Sequence, residues 1–301
     1  MLLFGTASAG RRIGLFGIPY DTSASLGRPG ARYAPARIRE ALRWNCHRVR
    51  DGAFFDVEAR RLVRCDDVAL WDYGDVFVSG HDHLATLDRA RGQMAELLET
   101  GAFPIVLGGD HSVSLPLLQA FHDHHDGPLG IIQLDAHLDL VDETLSQGRY
   151  SGSSQIRRAL EMGRYDATRL VQVGVRGFNY PDQYEYVVQQ GIHHITAVQV
   201  HETGGRRAAE AALETAGAGG AHVFATLDID CLDPAFAPGA GADEPGGLTS
   251  AQVLAFVRQI AARVEALDIV EVNPLVDRRD TTSALAAQLI FTAVAARAGG
   301  D

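Results

Sequence analysis

Along the chain, short continuous apolar runs rich in Val, Ile and Leu alternate with longer stretches in which apolar positions recur every three to four residues. The first pattern suits strands buried on both faces, the second helices that cover a sheet with one side. Their alternation predicts βα units and a mostly parallel sheet. Strands are predicted at 13–18, 103–107, 129–134, 171–175, 223–227 and 269–272. Helices are predicted at 36–43, 83–100, 113–122, 250–266 and 284–296, with the alanine-rich stretch 208–221 read as a helix and its turn. A proline stands at the start of the first helix, where its fixed φ and missing N–H are tolerated. A loop punctuated by Gly and Pro, 21–35, precedes that helix. No internal repeat or long linker interrupts the pattern, so one domain over residues 1–301 is expected.

Composition narrows the class. Hydrophobic residues make up 46% and charged residues 22%, ordinary for a globular protein and unlike a disordered or fibrous one. Twenty-seven basic against 38 acidic side chains give a formal charge of -11, which disfavours nucleic acid and suits a small cationic substrate. The three cysteines, Cys46, Cys65 and Cys231, show no CxxC spacing, so neither a disulfide framework nor a thiolate zinc site is suggested. Residues 1–5 do not begin a secretory signal and no run of 18 apolar residues occurs, so a cytoplasmic protein without a membrane span is expected.

Ligands of open parallel sheets bind outside the carboxyl ends of the strands, and polar residues collect there. Strand 103–107 runs into Gly108-Gly109-Asp110-His111-Ser112, strand 129–134 into Asp135-Ala136-His137-Leu138-Asp139, and strand 223–227 into Asp228-Ile229-Asp230-Cys231-Leu232-Asp233-Pro234. In extended backbone, Asp135, His137 and Asp139 share one face, as do Asp228 and Asp230. With His111 they supply two imidazoles and four carboxylates, enough for two divalent ions with bridging carboxylates. This oxygen-rich set favours Mn²⁺, with Ni²⁺ the second choice, over the usual N/S shell of zinc. Such a cluster generates a nucleophile from water and attracts a cation, which suits hydrolysis of a positively charged, electron-poor carbon. Glu271, at the end of the last strand, can pair bidentately with a planar guanidinium and is taken as the substrate anchor.

These residues together resemble the ureohydrolases, the arginase/agmatinase family of binuclear manganese amidinohydrolases. The three strand-end signatures match in order, Ala237-Pro238-Gly239 with Glu244-Pro245-Gly246-Gly247-Leu248-Thr249 matches the loop after the third, and Glu271-Val272-Asn273-Pro274 matches the guanidinium-binding strand end. Gly17-Ile18-Pro19-Tyr20-Asp21 and Arg28-Pro29-Gly30-Ala31-Arg32 resemble the agmatinase-like branch. The resemblance implies a three-layer α-β-α domain around a sheet of about eight strands, commonly assembled as trimers or hexamers. It implies one metal on His111, Asp135, Asp139 and Asp230 and another on Asp135, His137, Asp228 and Asp230. It also implies that Asp139 holds the attacking hydroxide and Glu271 the guanidinium.

Two positions depart from the family pattern: Ala240 stands between Gly239 and Gly241 where a threonine is common, and the second departure bears on the chemistry. A histidine usually follows Tyr-Ser in the loop after the second signature, and here Tyr150-Ser151 is followed by Gly152. The resemblance thus predicts a hydrolase of a linear guanidino compound, agmatine-like, a guanidino acid or an N-hydroxyguanidine, lacking the usual proton shuttle. The alternatives are an impaired metal-binding relative acting as a partner or regulatory subunit, and a formimino- or deacetylase-type hydrolase. Asp142, Glu143 and Arg176, in loops 142–154 and 176–186 at the expected mouth, are candidates to read the far end of the substrate. His122, His124 and His125 are expected in solvent beyond a helix end, His193 and His194 in a structural role with one of them able to reach the site, and Cys231 as buried filler.

Overall fold

The computed structural model describes residues 1–5, 9–22, 28–64, 66–143 and 145–298. Cys65 and parts of loops 21–35 and 142–154 lie outside the described residues. The chain opens with strands β1 (Leu2–Phe4) and β2 (Arg11–Gly17), helix α1 (Ala34–Cys46), a small hairpin of β3 (Ala53–Asp56) and β4 (Arg61–Arg64), and β5 (Val68–Asp75). It continues through α2 (His83–Glu99), β6 (Phe103–Leu107), α3 (Ser114–His124), β7 (Leu129–Leu134), α4 (Gln155–Leu160) and β8 (Tyr165–Val173). Next come α5 (Pro181–Gln190), β9 (His193–Ile195), α6 (Ala197–Thr203) and α7 (Gly205–Ala216). The last elements are β10 (His222–Asp228), α8 (Ser250–Ile260), β11 (Ala266–Val270) and α9 (Thr281–Ala298).

The main sheet has nine strands in the order β1-β5-β2-β6-β11-β10-β7-β8-β9. Only the edge strand β1 is antiparallel, so the remaining eight form the parallel sheet that the resemblance implied. Helices α1, α6, α7, α8 and α9 bury one face of it, and α2, α3, α4 and α5 the other. Central strands feed both layers by alternation: in β10, Val223, Ala225 and Leu227 enter the first core and Phe224 the second, where it meets Phe121 edge-on at 5.5 Å. Among the described residues no helix is long and apolar enough to cross a membrane.

The predicted central strands are present, the last at Ala266–Val270 and not 269–272, whereas the hairpin, β1, β5, β9 and α4 to α6 carried too little apolar periodicity to be read. The expected helix 250–266 ends at Ile260, and a turn through Ala261–Arg263 separates it from β11. At its other end Thr249, within the Gly-Gly-Leu-Thr motif, makes a capping box with Gln252.

Candidate active site

The three signatures leave β6, β10 and β7, and Glu271 follows β11, all at the same edge of the sheet, because β6-β11-β10-β7 are consecutive and parallel. Beyond the strand ends, however, the backbone turns. After β6, Asp110 caps a 3-10 turn, His111–Val113, by accepting from Ser112 N, which projects His111 inward. The preceding Gly109 is demanded by space, since a Cβ there would lie 1.5 Å from Tyr20 O. Asp228 caps a second turn, Ile229–Cys231, by accepting from Asp230 N at 2.9 Å. Asp139 has φ 54° and Glu271 φ 63°, left-handed conformations that cost a non-glycine residue about 1–2 kcal/mol each. The expectation that strand alternation aligns these side chains is therefore corrected: capped turns and two left-handed residues do so.

The result is two clusters sharing one residue. His111 Nδ1 lies 3.2 Å from Asp135 Oδ2, 2.9 Å from Asp139 Oδ2 and 3.2 Å from Asp228 Oδ2. His137 Nδ1 lies 3.1 Å from Asp230 Oδ2 and 3.5 Å from Asp135 Oδ1. Asp135 thus offers one oxygen to each side, and the ligand division that the resemblance implied is corrected: Asp228 stands with His111 and Asp230 with His137, because the turn at Ile229–Cys231 separates the two carboxylates. Although crowded by carboxylates, His111 Nδ1 has none of them placed for a well-directed hydrogen bond. Its other ring nitrogen stands 2.9 Å from Thr226 Oγ1, a partner that can fix the tautomer and turn the Nδ1 lone pair inward. An octahedral ion with bonds of about 2.1 Å keeps adjacent ligand atoms about 3 Å apart, so the spacing fits such an ion.

Electrostatics carry the same signature. Burial alone would lower the His111 pKa, but Asp135, Asp139 and Asp228 raise it well above its ordinary value. Burial and then the charge of Asp135 push Asp139 up to about 6. Burial, Asp230 and Asp135 raise Asp228 well above the carboxylate range. Burial resists ionisation of Asp135, yet the two imidazoles hold its pKa below the ordinary value.

Glu271 lies beside this basin. Its Oε1 accepts from His111 N at 2.8 Å, and burial with the nearby Asp110 charge raises its pKa to about 8. Gly241 faces the other oxygen, where a Cβ would intrude to 2.7 Å of Oε2. A Cβ at Gly152 would stand 3.6 Å from Glu271 Oε1 and from His111 Cβ, so that loop position adjoins the anchor.

The mouth residues behave differently from the expectation. Arg176 donates to the carbonyls of Gly174, Asp230, Cys231, Leu232, Glu244 and Pro245, so it straps the loop after the third signature and its guanidinium is committed to protein oxygens. Asp142 Oδ1 accepts from Arg149 at 2.7 Å and Arg158 at 2.6 Å, an ion-pair network along the loop. Glu143 is exposed. Missed entirely were the glutamines below the basin. Gln133 donates to Asp135 Oδ2 at 2.7 Å, Gln155 donates to Asp139 Oδ2 at 2.6 Å, and Gln172 donates to Gln133 Oε1 at 2.6 Å. His194 reaches this chain through Gln172 at 3.0 Å. For Gln133 and Gln172 the signal was a lone polar residue inside an apolar strand, as in Ile131-Ile132-Gln133-Leu134 and Val171-Gln172-Val173, whereas Gln155, at the start of α4, gave none.

Residues 11–296 match the Arginase family. The chain is 34% identical over 289 residues to a mitochondrial agmatinase of Gallus gallus, covering 95% of this chain and 81% of that one. It is 34% identical over 290 residues to a guanidinopropionase of Pseudomonas aeruginosa, covering 95% and 86%. The structure of a Trypanosoma cruzi formiminoglutamase with Mn²⁺ superposes with a TM-score of 0.86 at 26% identity, covering 99% of this chain and 98% of that one. The chain belongs to the arginase family. Within it, it is agmatinase-like, a hydrolase acting on the C–N bonds of linear amidines.

The raised carboxylates give a prediction for metal removal. Because the folded pKa values of Asp139 and Glu271 are raised to about 6 and about 8, these two groups hold more protons in the metal-free native state than in the unfolded chain at intermediate pH. The stability they contribute is complete below their unfolded values and is lost as pH rises through about 6 and about 8. The gain in Tm on adding saturating Mn²⁺ should therefore grow between pH 5 and pH 8, measured by calorimetry on chelator-treated and reloaded protein. A gain that shrinks with pH contradicts it.

Proposed function

We propose that the protein is a binuclear metal-dependent amidinohydrolase that adds water across the guanidino carbon of a linear guanidine and releases urea, or a urea analogue, and an amine. The convergence of Asp135, Asp139 and Asp228 on His111 Nδ1, and of the other Asp135 oxygen and Asp230 on His137 Nδ1, carries this reading. The ligand types favour Mn²⁺ first and Ni²⁺ second. When bound, the ions supply Lewis acidity and an activated water at neutral pH. His111, Asp135, Asp139, Asp228, His137 and Asp230 would hold the ions, and Asp139 would orient the water by accepting a hydrogen bond from it. Glu271 holds the guanidinium through paired N–H donations, which keeps the electrophilic carbon over the basin. Gln133 and Gln155 fix the carboxylates, so little reorganisation is needed during attack. A cytoplasmic homo-oligomer, a trimer or hexamer, completes the proposal.

The leaving amine must gain a proton, and Gly152 offers no side chain for that task. A substrate whose departing nitrogen is weakly basic, such as a guanidine N-hydroxylated on that nitrogen and releasing urea and an N-hydroxyamine, is favoured. Gly152→His is expected to raise kcat on a plain alkylguanidine by about 10²-fold and to change the N-hydroxy substrate little, the size usual for general acid assistance. Higher wild-type kcat on the plain compound, with no gain from histidine, overturns this assignment.

The mouth also speaks to the substrate tail. Arg28 pairs with Asp243, Arg32 with Asp21, Arg149 with Asp142 and Glu161, and Arg176 with carbonyls, so these cations are not left for a substrate carboxylate. An unscreened charge about 8 Å away at an effective dielectric of 20 is worth about 2 kcal/mol. Agmatine should therefore exceed 4-guanidinobutyrate in kcat/KM by at least about tenfold in a urea-release screen. Equal or reversed preference counts against a neutral or cationic tail. The second reading, a formimino hydrolase, has the formiminoglutamase superposition in its favour and is distinguished by release of formamide in place of urea.

A further inference from the structure

At the opposite edge of the sheet, two imidazoles and a carboxylate from three separate segments come together. His222 opens β10, Glu265 directly precedes β11, and His125 follows α3. β10 runs from His222 to Asp228, so at about 3.3 Å per residue this cluster lies roughly 20 Å from the candidate active site. His222 Nδ1 is 2.8 and 2.9 Å from the two Glu265 oxygens, and His125 Nδ1 is 3.5 Å from Glu265 Oε2. The two rings stack with centroids 4.3 Å apart and an interplanar angle of 26°, which turns both Nδ1 atoms toward one carboxylate. The sequence suggested a solvated His125. Instead its side chain is 12% exposed, packs on Phe121 at 4.3 Å, and has a buried Nε2 with no hydrogen-bond partner.

We propose that His125, His222 and Glu265 form a third divalent-ion site, of zinc type and separate from the catalytic pair. One donor atom from each residue lies within 4.8 Å of the others. Two imidazoles and a carboxylate are a borderline donor set, preferred by Zn²⁺ over Mn²⁺. Tetrahedral bonds of about 2.0–2.1 Å put ligand atoms about 3.4 Å apart, which the His125–Glu265 spacing already meets and the His222–Glu265 spacing reaches by opening about 0.5 Å. His124 stands edge-on to His125 at 4.8 Å, and the fourth position falls to water. The neighbouring cation, Arg164, is engaged by the carbonyls of His122 and His125. The close pair of His222 with Glu265 leaves His125 Nδ1 at 3.5 Å from the same carboxylate, and an ion between them would give all three a bond. It would staple the end of α3 to the starts of β10 and β11, so it acts on stability and not on turnover.

The test compares Mn²⁺-loaded wild type with His222→Ala after identical dialysis against Zn²⁺. Wild type should retain one more zinc ion per chain by elemental analysis, show a Tm gain with Zn²⁺ several degrees larger than the variant, and share its urea-release rate. Equal zinc counts and equal Tm gains overturn the site. Glu265→Gln keeps an acceptor for His222 while removing the anionic ligand, and it gives the same comparison if His222→Ala fails to fold. A Glu265→Gln protein with wild-type zinc content overturns it equally.

Discussion

Asp135→Asn is expected to lower guanidine turnover by at least about 10³-fold and to leave the chain with fewer than two bound ions. Among the described residues, Asp135 alone belongs to both candidate ligand clusters on the catalytic edge. Its Oδ2 faces His111 Nδ1 at 3.2 Å and its Oδ1 faces His137 Nδ1 at 3.5 Å. Each oxygen also receives an N–H: Gln133 Nε2 donates to Oδ2 at 2.7 Å and His137 N to Oδ1 at 2.6 Å. An asparagine must point its NH₂ at one of these donors, so one cluster loses its anionic oxygen and gains a donor clash, whichever way the amide turns. Losing a single preorganised charge contact costs about 10²–10³ in rate, and losing the means of making a nucleophile at neutral pH costs more. Elemental analysis and urea release on the same sample decide it. Two retained ions with kcat within tenfold of wild type would remove Asp135 from the bridging role.

The parallel sheet was legible because its central strands are buried on both faces. Phe103–Leu107 and Leu129–Leu134 are continuous apolar runs, and a buried run announces itself. β9 is only three residues long, begins with two histidines and is half-exposed, so it gives no periodic signal. The short hairpin of β3 and β4 leaves Phe55 and Leu62 exposed, and its pattern is set by pairing across the turn. At the site, residue types at strand ends were readable, whereas the turns that aim them were not. Nothing local in Val270-Glu271-Val272 reveals a left-handed Glu271, which is held by Glu271 N donating to Gly109 O at 2.9 Å and by His111 N donating to its side chain. The role of Arg176 was misread for a related reason. A charge in a loop after a strand looks available until the carbonyls around it are known, and here residues 230–232 and 244–245 curl around its guanidinium.

Glu271→Gln should separate substrate binding from metal binding, and it should move activity and stability in opposite directions. The amide keeps an oxygen for the His111 N–H, so the local backbone is preserved. What it removes is the negative charge that a guanidinium would meet in a buried setting, an interaction whose loss costs about 2–5 kcal/mol. A fall in kcat/KM of about 10²–10³-fold is expected, with two ions still bound, in contrast to Asp135→Asn. In metal-free protein, burial and the Asp110 charge hold the Glu271 pKa at about 8, so above that pH the native state carries an ionised carboxylate against its preference. Glutamine has no charge to carry. Chelated Glu271→Gln should therefore melt above chelated wild type at pH 9 and alongside it at pH 5, where the wild-type carboxyl is already protonated. A variant that melts lower at both values would mean that Glu271 serves the fold and is not an anchor held ready for a cation.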